Sequence, residues 1–146
     1  MQGPSEREAA EHRRTADAAA LAADEAGTTI LVVDDEVLIR MTVCEELADH
    51  GYRCLEAASG AEALRLLAER SDIALLLTDM GLPGGLNGRQ VADSARQARP
   101  GLPVLFVTGY ADQTALAGGT GPGTAVLAKP FRMAELVETV RALIAR

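Results

Sequence analysis

"LLLTDMGLPGG" spans residues 75–85, and its reading decides the fold. Apolar and small residues run straight into a lone carboxylate, Asp79, after which the chain breaks into Gly81, Pro83, Gly84 and Gly85. Aspartate is disfavoured in strands, and an ionised carboxylate is costly to bury unless something compensates its charge. A continuous apolar run that stops at turn formers is the pattern of a strand covered on both faces, as in a parallel sheet. The stretch therefore predicts a buried strand, "IALLLT" (73–78), with an acid at its carboxyl end.

The flanking sequence repeats the same design. "TILVV" (29–33) reads as a strand, followed by Asp34-Asp35-Glu36 and a helix to about His50 with apolar positions at Val37, Met41, Cys44 and Leu47 or Ala48. Gly51 stops that helix, "YRCLEA" (52–57) is a second strand, and Ser59 with Glu62 three residues on predicts a capped helix to about Arg70. Beyond the opening stretch, "NGRQVADSARQAR" (87–99) predicts a helix ended by Pro100-Gly101, and "LPVLFVT" (102–108) a fourth strand. "YADQTALA" (110–117) supports about two helical turns, "GGTGPG" (118–123) a loop and "TAVLA" (124–128) a fifth strand. A last amphipathic helix, 132–145, carries Met133, Leu136, Val140, Leu143 and Ile144 at core spacing. Five strands alternating with five helices predict an open, doubly wound α/β domain with a parallel sheet.

Composition narrows the function classes. The 146 residues suit one domain, and 3% aromatic content means an aliphatic core. A net charge of -7 argues against a nucleic-acid surface, which needs a dense basic patch, and favours proteins or a cation as partners. Cys44 and Cys54 lack metal-ligand spacing and read as reduced, buried thiols. No secretory signal and no 18-residue apolar run is found, so a cytoplasmic protein without membrane contact is expected. Residues 1–27 hold six acidic and three basic side chains and no strong apolar face, which predicts a flexible or partly helical tail ahead of a domain at 28–146.

In open α/β sheets the site lies beyond the carboxyl ends of the strands. The residues there are Asp34 and Asp35, Asp79, Thr108 and Lys129. Three crowded acids call for a counter-charge, and a hard divalent cation with oxygen ligands supplies one; Mg²⁺ fits best because it accepts one or two carboxylates and leaves room for phosphate oxygens. Lys129 is the sole lysine beside 13 arginines, consistent with a site that needs a compact point charge instead of a planar fork.

These segments resemble a known family. "ILVVDDE", "LLLTDMGLP", "VLFVTGY" and "VLAKPF" are similar, in order and spacing, to the signature segments of the receiver domains of two-component response regulators, over about residues 28–146. The resemblance implies a flavodoxin-like five-stranded sheet of order 2-1-3-4-5. It implies that Asp79 accepts a phosphoryl group from a histidine kinase or histidine phosphotransfer protein. Asp35 would ligate Mg²⁺ directly, Asp34 through water, and the Gly81 carbonyl would be a third protein ligand beside Asp79. Thr108 and Lys129 would engage phosphoryl oxygens, and Thr108 would also act in the switch.

Three departures from the family pattern stand out. Val126 occupies the place of the usual switch aromatic, leaving Tyr110 of an F-x-T-G-Y variant as the substitute. "GLPGGLNG" (81–88) is one residue longer than usual, and the segment after the fourth strand is short and glycine-rich. The "FVTGY" style resembles receivers of hybrid kinases; a stand-alone receiver signalling by protein contact is the other arrangement, with weak homodimerisation left open. Two alternatives differ in class. A degenerate receiver would only bind partners, and a Mg²⁺-dependent phosphohydrolase would turn over small substrates. The latter usually carries a second acid two residues after the nucleophile, where this chain has Gly81, so a phosphoacceptor and not an enzyme in the ordinary sense is expected.

Overall fold

The computed structural model describes residues 27–109 and 122–145. Its elements in chain order are β1 (Thr29–Val33), α1 (Val37–Asp49), β2 (Arg53–Ala57), α2 (Gly60–Glu69), β3 (Ile73–Asp79), α3 (Gly88–Ala98), β4 (Val104–Thr108), β5 (Thr124–Ala128) and α4 (Met133–Ile144). The strands form one parallel sheet of order β2-β1-β3-β4-β5, the doubly wound, flavodoxin-like arrangement expected. The tail expected over 1–27 falls almost entirely outside the described residues, as do Tyr110 and the short helix expected over 110–117.

Alternation along each strand sends neighbouring side chains to opposite faces. Leu31 and Val33 of β1 join Val104 and Phe106 of β4 in a core under α2 and α3, packed by Ala63, Leu67 and Val91. Ile30 and Val32 join Leu105 and Val107 in a second core under α1 and α4, packed by Val43, Leu47 and Leu136. Both faces of the central strands are therefore dry, which is why β1, β3 and β4 read as unbroken apolar runs.

The helix ends follow local chemistry. At the end of α1 the Tyr52 N–H donates to Leu47 O at 3.1 Å and the Gly51 N–H to Ala48 O at 3.0 Å, with Gly51 at φ 92°, a conformation that favours glycine. Ser59 caps α2 by accepting from the Glu62 N–H at 3.2 Å, while the Glu62 carboxylate accepts from Ala58, one residue before the cap. The reciprocal capping box forms instead at α3, where Asn87 and Gln90 bond each other's main chain at 2.8 and 2.9 Å.

One expectation fails on α1. Val37 and Met41 were placed on the core stripe, but they are 54% and 45% exposed, and the buried residues are Val43 and Leu47 with Ile39 packed beside them. Apolar residues stand on two stripes of this helix, so spacing alone does not choose between them. Cys44 and Cys54 are free thiols, half-buried instead of fully buried.

Candidate functional site

The parallel register assembles the site. Val33 lies opposite Thr78, so Asp34, next after Val33, lies beside Asp79. Thr108 lies opposite Ala128, so Lys129 leaves β5 just past the end of β4. β4 separates β3 from β5, and Lys129 reaches across its end: its Nζ donates to Asp79 Oδ2 at 3.2 Å. The Lys129 N–H also donates to Thr108 O at 2.9 Å, which ties the two positions together through the main chain.

Carboxylate oxygens of Asp34, Asp35 and Asp79 all lie within 4.8 Å of one another. Asp34 and Asp79 are buried and Asp35 is exposed, so the cluster opens to solvent on the Asp35 side. The second oxygen of Asp79, Oδ1, accepts from the Gly81 N–H at 3.1 Å, and the Asp79 carbonyl accepts from the Thr78 hydroxyl at 3.0 Å. Asp34 Oδ1 accepts from the Glu36 N–H at 2.8 Å.

The charges do not balance. Burial lifts the Asp34 carboxyl above its ordinary range; the Glu36 N–H works against that shift, and the negative charge of Asp79 adds to it. For Lys129, burial pulls the ammonium down, yet Asp79, with Asp34 and Glu36 behind it, outweighs that pull and leaves it above its ordinary value. A single ammonium thus faces three carboxylates. At the end of β4 the Thr108 hydroxyl is fully buried and has no hydrogen-bond partner among the described residues. Buried hydroxyls are usually paired. The Thr29 and Thr124 hydroxyls at the amino ends of β1 and β5 also lack a partner among the described residues, and the Thr108 hydroxyl differs from them in its place at the strand ends that carry the carboxylates.

The donor set and this orphaned hydroxyl fit a hard, oxygen-seeking cation together with an oxyanion. Asp34, Asp35 and Asp79 are brought together, Lys129 is joined to Asp79, and Thr108 to Lys129 through the main chain. Gly81 lies beside Asp79 through its N–H. Val126, at the place of the usual switch aromatic, is an exposed side chain on β5.

Two contributors were not singled out in the sequence. Gly88 opens α3 so close to the end of β3 that a β-carbon there would collide with the Asp79 carbonyl, and its N–H donates to Met80 O at 2.9 Å. Its signal was available in the glycine after an N-cap asparagine. Arg40 bonds Asp34 O and Glu56, a pairing between residues 16 apart that no local pattern announces.

Comparison with known proteins agrees with this geometry. The model of the response regulator receiver domain matches residues 30–141. The chain belongs to the response regulator receiver domain family. This receiver domain is 36% identical over 126 residues to the "Probable transcriptional regulatory protein TcrX" of Mycobacterium tuberculosis, covering 85% of this chain and 53% of that protein. It is 33% identical over 120 residues to the sensor kinase CckA of Brucella abortus, covering 80% of this chain and 12% of that one. The crystal structure of a response regulator receiver protein from Sinorhizobium medicae superposes with a TM-score of 0.75 at 31% identity, over 81% of this chain and 94% of that one. The chain thus spans about half of one curated relative and a small part of the other. No helix among the described residues is long and apolar enough to cross a membrane.

Proposed function

We propose that this receiver domain takes a phosphoryl group from a phosphohistidine onto Asp79, with Mg²⁺ held by Asp34, Asp35, Asp79 and the Gly81 carbonyl. The observation that carries the reading is the contact of Lys129 Nζ with Asp79 Oδ2 at 3.2 Å, the one ion pair made by the clustered carboxylates among the described residues. Bound there, Mg²⁺ would offset the negative charge of the carboxylates and of the incoming phosphoryl oxygens.

The remaining work falls to the chain's own groups. The Gly81 N–H and the Lys129 ammonium each engage one oxygen of Asp79 and so fix the plane of the carboxylate. An Asp79 oxygen attacks phosphorus, the bond from phosphorus to the donor imidazole breaks, and the histidine ring leaves with that electron pair. Little covalent chemistry is asked of the protein, so catalysis is positioning and charge stabilisation. Once Asp79 carries the phosphoryl group as an acyl phosphate, the Lys129 ammonium pairs with a phosphoryl oxygen and the Thr108 hydroxyl donates to another, meeting its outstanding hydrogen bond. Water later cleaves the acyl phosphate and restores the carboxylate. The output is a population shift of the loop after β4, with Thr108 and Tyr110 as the switch pair.

The phosphodonor in this reading is a histidine kinase or histidine phosphotransfer protein, and the output is protein contact in the cytoplasm, without nucleic acid or membrane. The functional unit is 28–146 with 1–27 as a tail. Similarity to part of a sensor kinase is compatible with the hybrid-kinase context, and a stand-alone receiver is the other arrangement. Incubation with Mg²⁺ and a small phosphodonor, read by intact mass, is expected to give one labile phosphoryl adduct that Asp79→Ala abolishes. No adduct would indicate a module that only binds, and sustained phosphate release from many substrates a phosphohydrolase; either result overturns the proposal.

A further inference from the structure

Arg40 lies one turn into α1 with a side chain only 14% exposed, and it is used twice. Its Nη1 donates to Asp34 O at 2.7 Å, and its Nε donates to Glu56 Oε1 at 2.8 Å. The Asp34 carbonyl belongs to the peptide unit that leads into Asp35, so the guanidinium grips the main chain between two of the clustered carboxylates. Asp34 is already held on its other side, where its N–H donates to Ala57 O at 3.1 Å. Glu56 and Ala57 are consecutive residues at the end of β2, the strand hydrogen-bonded to β1. The turn that carries Asp34 and Asp35 is therefore anchored to the sheet edge at both its N–H and its C=O.

From this geometry we infer that Arg40 is a positioning residue for the cation site, acting through the Asp34 peptide and made compatible with a cation by its pairing with Glu56. This inference rests on the phosphoacceptor reading above. A planar fork can serve two acceptors in fixed directions, whereas a lysine ammonium would have to choose or swing between them. Pairing matters as well, because an isolated guanidinium this close to the cluster would repel a divalent ion. With the Glu56 carboxylate at 2.8 Å the pair is neutral and keeps its grip on the main chain. Groups that orient metal ligands commonly contribute about ten- to a hundredfold to metal affinity.

The sign of one measurement separates positioning from simple charge. Titration of the whole chain with Mg²⁺ by calorimetry is expected to show Arg40→Met binding about tenfold more weakly than wild type. Removing a positive charge near a cation site would by Coulomb attraction alone tighten binding. A role in folding alone would lower the metal-free melting temperature and leave affinity unchanged. The double variant Arg40→Met/Glu56→Gln exchanges a neutral pair for a neutral pair and should remain about tenfold weaker. If Arg40→Met does not fold, Arg40→Lys decides: it keeps the charge and can keep one contact, and weaker Mg²⁺ binding supports the inference while unchanged affinity overturns it. Unchanged or tighter binding by folded Arg40→Met, with Asp79 still accepting phosphoryl, overturns this inference alone. Failure of the wild type to bind Mg²⁺ overturns the phosphoacceptor reading and this inference together.

Discussion

The two ends of the sheet handle charge in opposite ways. At the amino ends of the strands arginines are spent on main-chain carbonyls: Arg96 donates to Leu102 O at 3.0 Å and Gly123 O at 2.9 Å, and Arg99 to Ile73 O and Ser71 O. There too Arg70 grips Asp72 with two bonds, at 3.0 and 2.7 Å, and holds that carboxyl below its usual range. At the carboxyl ends three carboxylates share one lysine, and burial lifts Asp34 instead of lowering it. An unpaired buried atom does not distinguish the ends, since Arg99 Nη1 and the Thr29 and Thr124 hydroxyls at the amino ends lack a partner among the described residues, as Thr108 Oγ1 does. What distinguishes the carboxyl end is charge: three clustered carboxylates and, among the described residues, one ion pair to them, from Lys129. At one end the charged groups are paired within the chain; under the function proposed above, the other end would be completed by a cation.

Substitutions at the two ends should therefore separate stability from chemistry. The largest effect is expected for Lys129→Met: loss of the one cation facing Asp79 should slow phosphorylation about a hundredfold, the scale of removing one charge-stabilising group. Time courses of the intact-mass adduct measure it, and a rate within a few-fold of wild type would erase the contrast. Next, Arg96→Met should cost about 2 kcal/mol of stability, because two carbonyls lose a charged donor at once. Denaturant unfolding measures this, and the phosphorylation rate of the folded fraction should not change.

A smaller effect of opposite sign is expected at Asp34. Burial lifts its pKa above the ordinary 3.8, so the folded state holds the proton more tightly than the unfolded chain. Metal-free stability from this group is then greatest below the ordinary value and falls as pH climbs through the raised one. Asp34→Asn should remove that slope and raise the melting temperature of the metal-free protein near neutrality. Melting curves across acid to neutral pH would sharpen the comparison; destabilisation by the substitution would break it.

The architecture was legible because its signals are local. Apolar runs such as 29–33 and 73–78 end in acids, and glycine or proline follows α1 and α3, at Gly51 and at Pro100-Gly101. The candidate site was legible for the same reason, since strand ends in a parallel sheet converge and Asp34, Asp35, Asp79, Thr108 and Lys129 are each read from the end of a run. What escaped depends on contacts between distant elements. Val37 and Met41 compete with Ile39, Val43 and Leu47 for the buried stripe of α1, and only packing against the sheet decides between them. Arg40 looks like any helix-surface arginine until β2 brings Glu56 alongside. Glu62 satisfied the spacing of a capping box, yet its carboxylate reached Ala58, a difference of one residue set by the path of the chain into the helix.

The central claim is that the carboxyl end of the sheet is left with unbalanced negative charge until a divalent cation arrives, and thermal unfolding of the wild-type chain over a Mg²⁺ titration tests it most directly. A ligand that binds only the folded state stabilises it by mass action, about 2.7 kcal/mol at a hundredfold excess over Kd, so the melting temperature should climb steadily with Mg²⁺. A melting temperature that stays flat through millimolar Mg²⁺ would contradict the account.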